Sequence, residues 1–229
     1  MRAVALLLFV AIPLAGPPAA GAQPAAPLAD LRLVEAIGWY TGTRGAVDEP
    51  RARLLIETAA FEGNVLARMW LARLYSRGRA GYPRDAARAQ AIAEPLVDAV
   101  HRQAKAGTVE AMFLMGTAYD EGLGVAEDAA VAVGWFTRAA DAGHTLAEHN
   151  LGNAYAAGRG VAADPALAVR WWLKAAAKGD AVPQLRLGEA YEHGRGVAKS
   201  LDEARRWYGE AATRGNAAAA AALKRLTPR

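Results

Sequence analysis

The sequence contains no cysteine, and this absence excludes several kinds of protein. A chain without cysteine forms no disulfide bonds, carries no thiol nucleophile and offers no residue for a cysteine-linked lipid anchor. It must be held together by packing alone, and a hydrophobic share of 53% in 229 residues is enough for a sizeable core. Aromatic residues are also scarce, at 7%. Alanine therefore supplies much of the apolar content, which favours helices because alanine loses no side-chain rotamer freedom in them.

The chain also lacks a strong excess of charge of either sign. Its 27 Lys and Arg residues are nearly balanced by 23 Asp and Glu residues, which leaves a formal net charge of +4. This excess is too small to indicate binding to nucleic acid. We therefore expect no nucleic-acid partner.

The longest apolar run, at residues 3–15, is shorter than the roughly 20 residues that a membrane-spanning helix needs. A positive charge at Arg2 precedes the run, and residues 20–22, Ala-Gly-Ala, form a small-x-small cleavage signal. We predict a secretory signal peptide at residues 1–22, a linker at 23–30 and no membrane span. A composition rich in arginine and alanine is typical of a GC-rich bacterium. The expected location is therefore the bacterial periplasm, or else the medium outside the cell.

The sequence after residue 107 repeats itself. A motif of Leu or Met, Gly, x, Ala, Tyr, x, x, Gly, x, Gly and Val occupies residues 115–125, 151–161 and 187–197, at a constant interval of 36 residues. Three copies in one register do not arise by chance, so the chain is a tandem array.

Each unit of the array has the pattern of two helices. In the first helix, Ala147, Leu151 and Tyr155 are spaced four apart and form one apolar stripe. Gly152 lies beside this stripe, where the absence of a side chain lets the second helix approach closely. Gly158 is placed to end the first helix, because glycine tolerates the left-handed conformation of a C-cap.

The turn and the start of the second helix carry their own signals. Gly160 allows the chain to turn back. Asp164 is a predicted N-cap, with Pro165 at the first helical position, and Asp128 and Ser200 occupy the equivalent positions in the neighbouring copies.

Tryptophan recurs in the second helices at the same interval, as Trp135, Trp171 and Trp207. Because the position is the same in every copy, we expect these three side chains to be core residues. Trp172 lies outside this register, and we expect it to be partly exposed.

The glycine pair of each turn could be taken for a phosphate-binding loop, but its context argues against this. A dinucleotide loop follows a strand and a P-loop carries a Lys-Ser/Thr pair, and neither feature is present. The four histidines are scattered and form no His-Glu-x-x-His motif. We therefore predict no cofactor, no metal site and no catalytic residues.

Weaker copies extend the array in both directions, so residues 31–229 are predicted to form one helical-repeat domain. Residues 31–63 are a degenerate cap repeat, and residues 64–107 form a repeat with eight additional residues around 92–99. Pro95 lies in this insertion and is expected to kink or split the second helix. The insertion is either a second contact surface or an enlarged joint.

The predicted boundaries of the regular repeats follow from the glycines that close each unit. They are 108–143, 144–179 and 180–215, and residues 216–229 form a capping helix. Lys224 stands where the packing glycine would be, and its charged side chain prevents a further helix from stacking.

The pattern of Leu-Gly, Tyr, Gly-x-Gly-Val, Asp, Ala, Trp, Ala-Ala and Gly resembles the Sel1-like repeat, a relative of the tetratricopeptide repeat. The resemblance covers nearly all of the chain after the predicted signal peptide. It implies an all-α fold, a right-handed α-solenoid of helix pairs whose first helices line a concave face. It also implies a non-catalytic scaffold that binds a protein or peptide partner, and we expect a monomer.

A second function stays open at this point. Some exported, cysteine-rich members of the family resemble penicillin-binding or β-lactamase-like proteins. The alternative is therefore a cell-envelope enzyme or accessory factor that acts on peptidoglycan-like or β-lactam substrates. This chain departs from those members because it has no cysteine.

The residues opposite the apolar stripe of the first helices are the candidate ligand groove. They form an apolar or amphipathic row, flanked by charged rows that run from basic to acidic along the array. Such an arrangement would hold an extended polypeptide in one direction. The simpler interpretation is that these side chains contact the neighbouring first helix. The candidates are Met69, Phe113, His149 and Leu185 in the first row and Arg73, Thr117, Asp120, Asn153, Glu189 and Glu192 in the flanking rows.

Overall fold

The computed structural model describes residues 26–226, with side chains from Leu31 onward. The predicted signal peptide at 1–22 and the final residues 227–229 lie outside the described residues. The first helix begins at Ala26, so residues 26–30 of the segment predicted as a linker are helical. Pro27 does not prevent this, because proline is tolerated in the first turn of a helix.

All regular secondary structure in the described residues is helical, which confirms the predicted fold class. Consecutive helices pack against each other in pairs, and the pairs follow one another along the array. The helices, in chain order, are α1 (Ala26–Thr41), α2 (Glu49–Phe61), α3 (Val65–Arg77), α4 (Ala86–Ala93), α5 (Val97–Lys105), α6 (Val109–Glu121), α7 (Ala129–Asp141), α8 (Thr145–Ala157), α9 (Pro165–Ala177), α10 (Ala181–His193), α11 (Leu201–Thr213) and α12 (Ala217–Leu226).

The helix ends follow the predicted signals. Asp128, Asp164 and Ser200 each accept a hydrogen bond from a backbone N–H in the first turn of α7, α9 and α11. The regular first helix α8 ends at Gly158, whose φ of 68° is left-handed, and α6 and α10 end in the same way. Repetition of these caps fixes the length of every regular helix at 13 residues.

A glycine in each regular first helix receives an aromatic ring from the second helix. A Cβ atom built on Gly152 would lie within 3.0 Å of three atoms of the Trp172 ring. The equivalent glycines of α6 and α10 meet Phe136 and Tyr208 in the same way. Hydrogen is therefore the only side chain that fits at these positions, as the sequence predicted.

The structure corrects one expectation about the tryptophans, because the ring that packs against Gly152 belongs to Trp172. Trp172, expected to be partly exposed, is buried with 8% of its surface accessible, whereas Trp171 is only partly buried. Trp135 and Trp207 are buried, as predicted. The residue that packs into the helix pair is the one after the repeated tryptophan, because α9 turns position 172 and not 171 toward α8.

The second glycine of each turn makes the contact between repeats. A Cβ atom at Gly160 would lie within 3.0 Å of three backbone atoms of Ala129 and Ala130, at the start of the preceding second helix. Gly196 approaches Pro165 in the same manner. These glycines therefore serve two purposes, since their positive φ allows the turn and their bare backbone allows the repeats to stack.

The insertion divides the second helix of its repeat, as Pro95 predicted. α4 ends at Ala93, a short 3-10 turn spans Glu94–Leu96, and α5 continues from Val97. Gly124 of the next repeat packs against Glu94 and Val97, and its N–H donates to the Gln90 side chain at 3.0 Å. The additional residues thus occupy the place that the start of a regular second helix fills elsewhere in the array.

The two ends of the array meet. The N–H of Val47, in the loop after α1, donates to the carbonyl oxygen of Arg214, which lies between α11 and α12, at 3.1 Å. None of the helices within residues 26–226 combines the length and apolar character that a bilayer crossing requires.

Candidate functional site

The first helices line a cavity of about 940 Å³ that is open to solvent, which we call the central cavity. Residues of α3, α6, α8 and α10 line it, and residues from the stretches 40–49 and 215–217 complete its wall. Because Val47 is bonded to Arg214, the first and last repeats join at one side of this cavity. Every repeat therefore contributes to one shared, largely polar space.

One part of the wall carries a network of ion pairs that crosses three repeats. Arg77 of α3 donates to Glu121 at 2.5 Å and to Asp120 at 3.3 Å. Arg159, in the turn after α8, pairs with Asp120 at 3.2 Å and with Glu127 at 2.7 Å. The basic and acidic groups therefore neutralise each other across the repeat boundaries, which replaces the charge gradient expected from the sequence.

Burial and charge act on this network in opposite directions. Burial raises the pKa of the Asp120 carboxyl above its usual value, even though Arg159 and Arg77 favour the ionised form. Burial opposes the charge on Arg77, but Glu121, together with Asp120 and Tyr40, outweighs it and raises the pKa of the guanidinium. These groups hold one another in place, so the network fixes the relative positions of α3, α6 and the turn after α8.

Arg73 has a different environment in the same wall. Only 5% of its side chain is exposed, and its nearest carboxylate oxygen, on Glu121, lies 4.0 Å from Nε. Aromatic rings surround the guanidinium, with the ring centre of Trp70 at 4.7 Å and that of Phe113 at 5.4 Å. Arg73 thus brings a buried positive charge to the central cavity.

Two further residues predicted from the sequence also line the central cavity. His149 of α8 places Nδ1 at 3.1 Å from Oδ2 of Asp180, and Asn153 accepts a hydrogen bond from Trp172 at 3.2 Å. Together with Arg73 and Asp120, they make four of the predicted groove residues that reach this space.

Three of the predicted groove residues lie in the interior instead. Met69, Phe113 and Thr117 each have 1% or less of their surface exposed. Phe113 lies between the ring of Trp70, at 5.7 Å, and that of His144, at 4.5 Å. These side chains contact the neighbouring helices, so the simpler interpretation is correct for them and the expected apolar groove floor is wrong.

The last three predicted residues lie toward the C-terminal end of the array. Glu189 lines a second cavity, of about 740 Å³, between α8, α9 and α10. Glu192 is buried and accepts hydrogen bonds from Tyr208 and Arg225, both at 2.8 Å. Leu185 packs, partly buried, against the apolar cluster that holds α12. Only Glu189 is therefore available to a ligand in a cavity.

Several cavity residues were not predicted from the sequence. Arg159 stands between the two glycines of its turn, and Arg195 occupies the equivalent place in the next repeat and lines the second cavity. The repeated Gly-Arg-Gly was the available signal. Asp180 and Tyr40 also line the central cavity, and neither belongs to the rows that helical periodicity selects.

The side chains that line the central cavity are mostly polar or charged. Within residues 26–226, no group of three or more His, Cys, Asp or Glu residues is arranged to hold a metal ion. The cavity presents guanidinium, carboxylate, imidazole and amide groups, which recognise polar and charged ligands through ion pairs and hydrogen bonds.

Comparisons with known proteins agree with this architecture. A family model described as the Sel1 repeat matches residues 65–93, 109–144, 145–180 and 184–216. The first match ends at Ala93, where α4 gives way to the 3-10 turn. No protein with curated annotation matches the sequence.

Solved structures extend the similarity to the whole array. A Sel1 repeat protein from Oxalobacter formigenes is 26% identical, with a TM-score of 0.56 over 88% of this chain and 79% of that one. A protective antigen of uropathogenic Escherichia coli, described as displaying an SLR fold, is 26% identical with a TM-score of 0.53. That match covers 86% of this chain and 48% of the antigen, so the chain spans about half the antigen's length. An immunity protein from Pseudomonas aeruginosa, 22% identical over 86% of this chain and 70% of that one, with a TM-score of 0.50, shares the fold.

Proposed function

Because the chain belongs to the Sel1 repeat family, whose members typically act as scaffolds for protein–protein interaction, we propose that it binds a polypeptide partner in the central cavity. The protein acts in this proposal after export from the cytoplasm, and it catalyses no reaction of its own.

The observation that carries the proposal is the convergence of every repeat on one space. The central cavity, at about 940 Å³, lies at the upper end of the size range of about 300–1,000 Å³ that is usual for ligand sites. In one part of its wall, ion pairs of Arg77 and Arg159 join α3, α6 and the turn after α8. A rigid wall of this kind lowers the entropy lost on binding, which favours recognition of a partner.

The polar lining indicates the kind of partner. Charged side chains at the cavity are held by neighbours in fixed orientations, such as Arg79 with Glu49 at 2.5 Å and His149 with Asp180 at 3.1 Å. Fixed donors and acceptors suit the main-chain and polar side-chain groups of a polypeptide better than an apolar small molecule. We therefore favour a polar peptide segment or loop of a partner protein as the occupant.

Blocking the central cavity tests this function, and the absence of native cysteine makes the experiment clean. Ser76 lines the cavity, so Ser76→Cys followed by attachment of a bulky maleimide should fill it. Arg170 is exposed on α9 and lines none of the cavities described above, so Arg170→Cys with the same label is the matched control.

Each labelled protein is used to capture partners from a cell-envelope fraction. The proposal expects a partner that is retained by the unlabelled chain and by labelled Arg170→Cys, and is lost with labelled Ser76→Cys. Equal capture by the two labelled variants, at equal thermal stability, would show that binding takes place elsewhere on the surface.

Export is tested separately through the N-terminus of the protein in its native cell. Mass spectrometry should find a mature chain that begins at Gln23 in the periplasmic or extracellular fraction. A full-length chain that retains residues 1–22 and stays in the cytoplasm would contradict this part of the proposal.

A further inference from the structure

We propose that Arg73 and its neighbours on α6 form a carboxylate-binding site in the wall of the central cavity, and that this site holds an acidic group of the bound polypeptide. The inference rests on the proposed function, since it assigns a chemical role to one part of the same cavity.

The first observation is that Arg73 is buried without hydrogen-bond partners. Its Nε and Nη1 are inaccessible and have none among the described residues. The closest carboxylate oxygen, on Glu121, is 4.0 Å away, beyond hydrogen-bond distance, and Glu121 already accepts from Arg77 at 2.5 Å. These two N–H groups have lost their hydrogen bonds to water and gained none from the protein, which is destabilising.

The second observation is that Arg73 is held in a preformed position. The ring centres of Trp70, Phe113 and Tyr40 lie 4.7, 5.4 and 5.6 Å from its guanidinium carbon. Trp70 and Phe113 are themselves fully buried, so these rings cannot move aside. A guanidinium fixed against aromatic faces, with little water nearby, binds an anion more strongly than an exposed arginine does.

The third observation is that Glu121, whose Oε1 lies 4.0 Å from Nε of Arg73, and Thr117, on the same helix, each have a buried oxygen that lacks a hydrogen-bond partner. Thr117 and Glu121 are one helical turn apart on α6, on the same face as Phe113. The hydroxyl of Thr117 and Oε2 of Glu121 are both inaccessible and without hydrogen bonds among the described residues. The hydroxyl can donate to a carboxylate oxygen, and Glu121 can accept an N–H. A carboxylate attached to a peptide chain supplies both.

The pairing of the nearby arginines indicates the same ligand. Arg77 and Arg159 each lie 3.3 Å or less from the carboxylates with which they pair, whereas Nε and Nη1 of Arg73 have no hydrogen-bond partner. The two oxygens of a carboxylate match two N–H groups of a guanidinium. The site therefore favours an acidic group, which is either an Asp or Glu side chain or the C-terminal carboxylate of the partner.

The test begins with sodium acetate as the probe and acetamide as its uncharged analogue, at constant ionic strength. The Nε–H of Arg73 and the indole N–H of Trp70 are followed by NMR in ¹⁵N-labelled protein. Acetate should shift both signals in a saturable manner, and acetamide should not. Arg73→Met should abolish the saturable shift of the Trp70 signal, and Arg170→Met on the outer face should preserve it.

Three acetylated seven-residue Gly/Ser peptides then distinguish the two sources of the carboxylate. One carries a central Glu and an amidated C-terminus, the second a central Gln and a free C-terminus, and the third a central Gln and an amidated C-terminus. We expect one of the carboxylate peptides to bind about tenfold or more tightly than the neutral one, and Arg73→Met to remove that advantage.

Stability separates a binding role from a structural one. If the role of Arg73 is to bind a ligand, Arg73→Met should leave the urea midpoint unchanged or raise it, because an apolar side chain of similar size suits the aromatic surroundings better.

A lowered urea midpoint of Arg73→Met, with no saturable acetate shift in the parent protein, would overturn the proposal. Equal binding of all three peptides would overturn it as well, while leaving partner capture in the cavity intact. Failure of the proposed function would appear instead as partner capture that is insensitive to the label on Ser76→Cys.

Discussion

Replacement of Gly152 by alanine sets two known effects against each other, and the structure decides which one is larger. Alanine in the middle of a helix is normally more stable than glycine by about 1 kcal/mol. A Cβ atom at position 152, however, would lie within 3.0 Å of three atoms of the Trp172 ring, whereas ordinary contacts are 3.4–4 Å. The ring would have to retreat by about 1 Å inside a close-packed core.

The expected result is a net loss of stability. Overpacking of this kind destabilises by about 1–3 kcal/mol, and displacement of Trp172 also weakens its hydrogen bond to Asn153, which contributes about 1 kcal/mol. After the gain in helix propensity is subtracted, Gly152→Ala should lower the free energy of unfolding by about 1–3 kcal/mol. Urea denaturation followed by circular dichroism measures this change.

Two controls make the measurement decisive. Gly134 lies in α7 with no atom within 4 Å of its added Cβ, so Gly134→Ala should raise stability by about 1 kcal/mol. Trp172→Leu should remove the clash, so the double variant Gly152→Ala/Trp172→Leu should be more stable than the sum of the single losses predicts. Stabilisation by Gly152→Ala equal to that of Gly134→Ala would refute the reasoning.

Three further predictions follow from contacts at other positions. Trp172→Ala should lower the free energy of unfolding by about 3–5 kcal/mol and Trp171→Ala by clearly less, as measured in urea; equal losses would contradict the assignment of Trp172 to the core. Gly160→Ala should lower the urea midpoint more than Gly134→Ala raises it, because its Cβ meets the backbone of Ala129 and its φ is +73°; an unchanged midpoint would count against the inter-repeat contact. Glu192 accepts a hydrogen bond from Arg225, which lowers the pKa of the Glu192 carboxyl from the usual 4.5 to about 2. The ionised carboxyl therefore stabilises the fold above pH 4.5, and this contribution is lost as the pH falls toward 2. Glu192→Gln should therefore lower the urea midpoint at pH 7, and the difference in midpoint between this variant and the unsubstituted protein should shrink as the pH approaches 2. A difference in midpoint that stays constant with pH would contradict the pairing of Glu192 with Arg225.

The helical array could be predicted because each of its signals is a local backbone requirement that recurs in every copy. Gly158 must adopt a left-handed conformation, Asp164 must cap a helix, and Gly152 must leave room for a ring. Each requirement restricts the residue type at its own position, so repetition makes it visible without knowledge of the fold.

The choice between Trp171 and Trp172 failed for a different reason. Repetition at position 171 indicates that the site is important in every copy, but it does not say which surface the side chain faces. Residues next to each other on a helix point about 100° apart, so a repeat unit with several interfaces can bury either one. The contact between Trp172 and Gly152 shows that position 172 faces α8, but this contact can be recognised only when the packing of α8 against α9 is known.

Only part of the candidate site could be predicted from the sequence. The rest could not, because each first helix has more than one neighbouring helix. A face opposite the apolar stripe was expected to meet solvent, yet Phe113 packs between α3 and the start of α8. The contact of Val47 with Arg214 depends on the rotation accumulated over all the repeats, and no single segment of sequence encodes it. The burial of Arg73 follows from the same packing, which explains why it was expected in the groove but not expected to lack partners.

Hydrogen–deuterium exchange of the protein alone and with its captured partner tests the central claim most directly. If the partner occupies the central cavity, added protection should concentrate in α3, α6 and α8, while exchange in the outer helices α7 and α9 should stay the same. Protection confined to α7 and α9, with the cavity helices unaffected, would contradict the account.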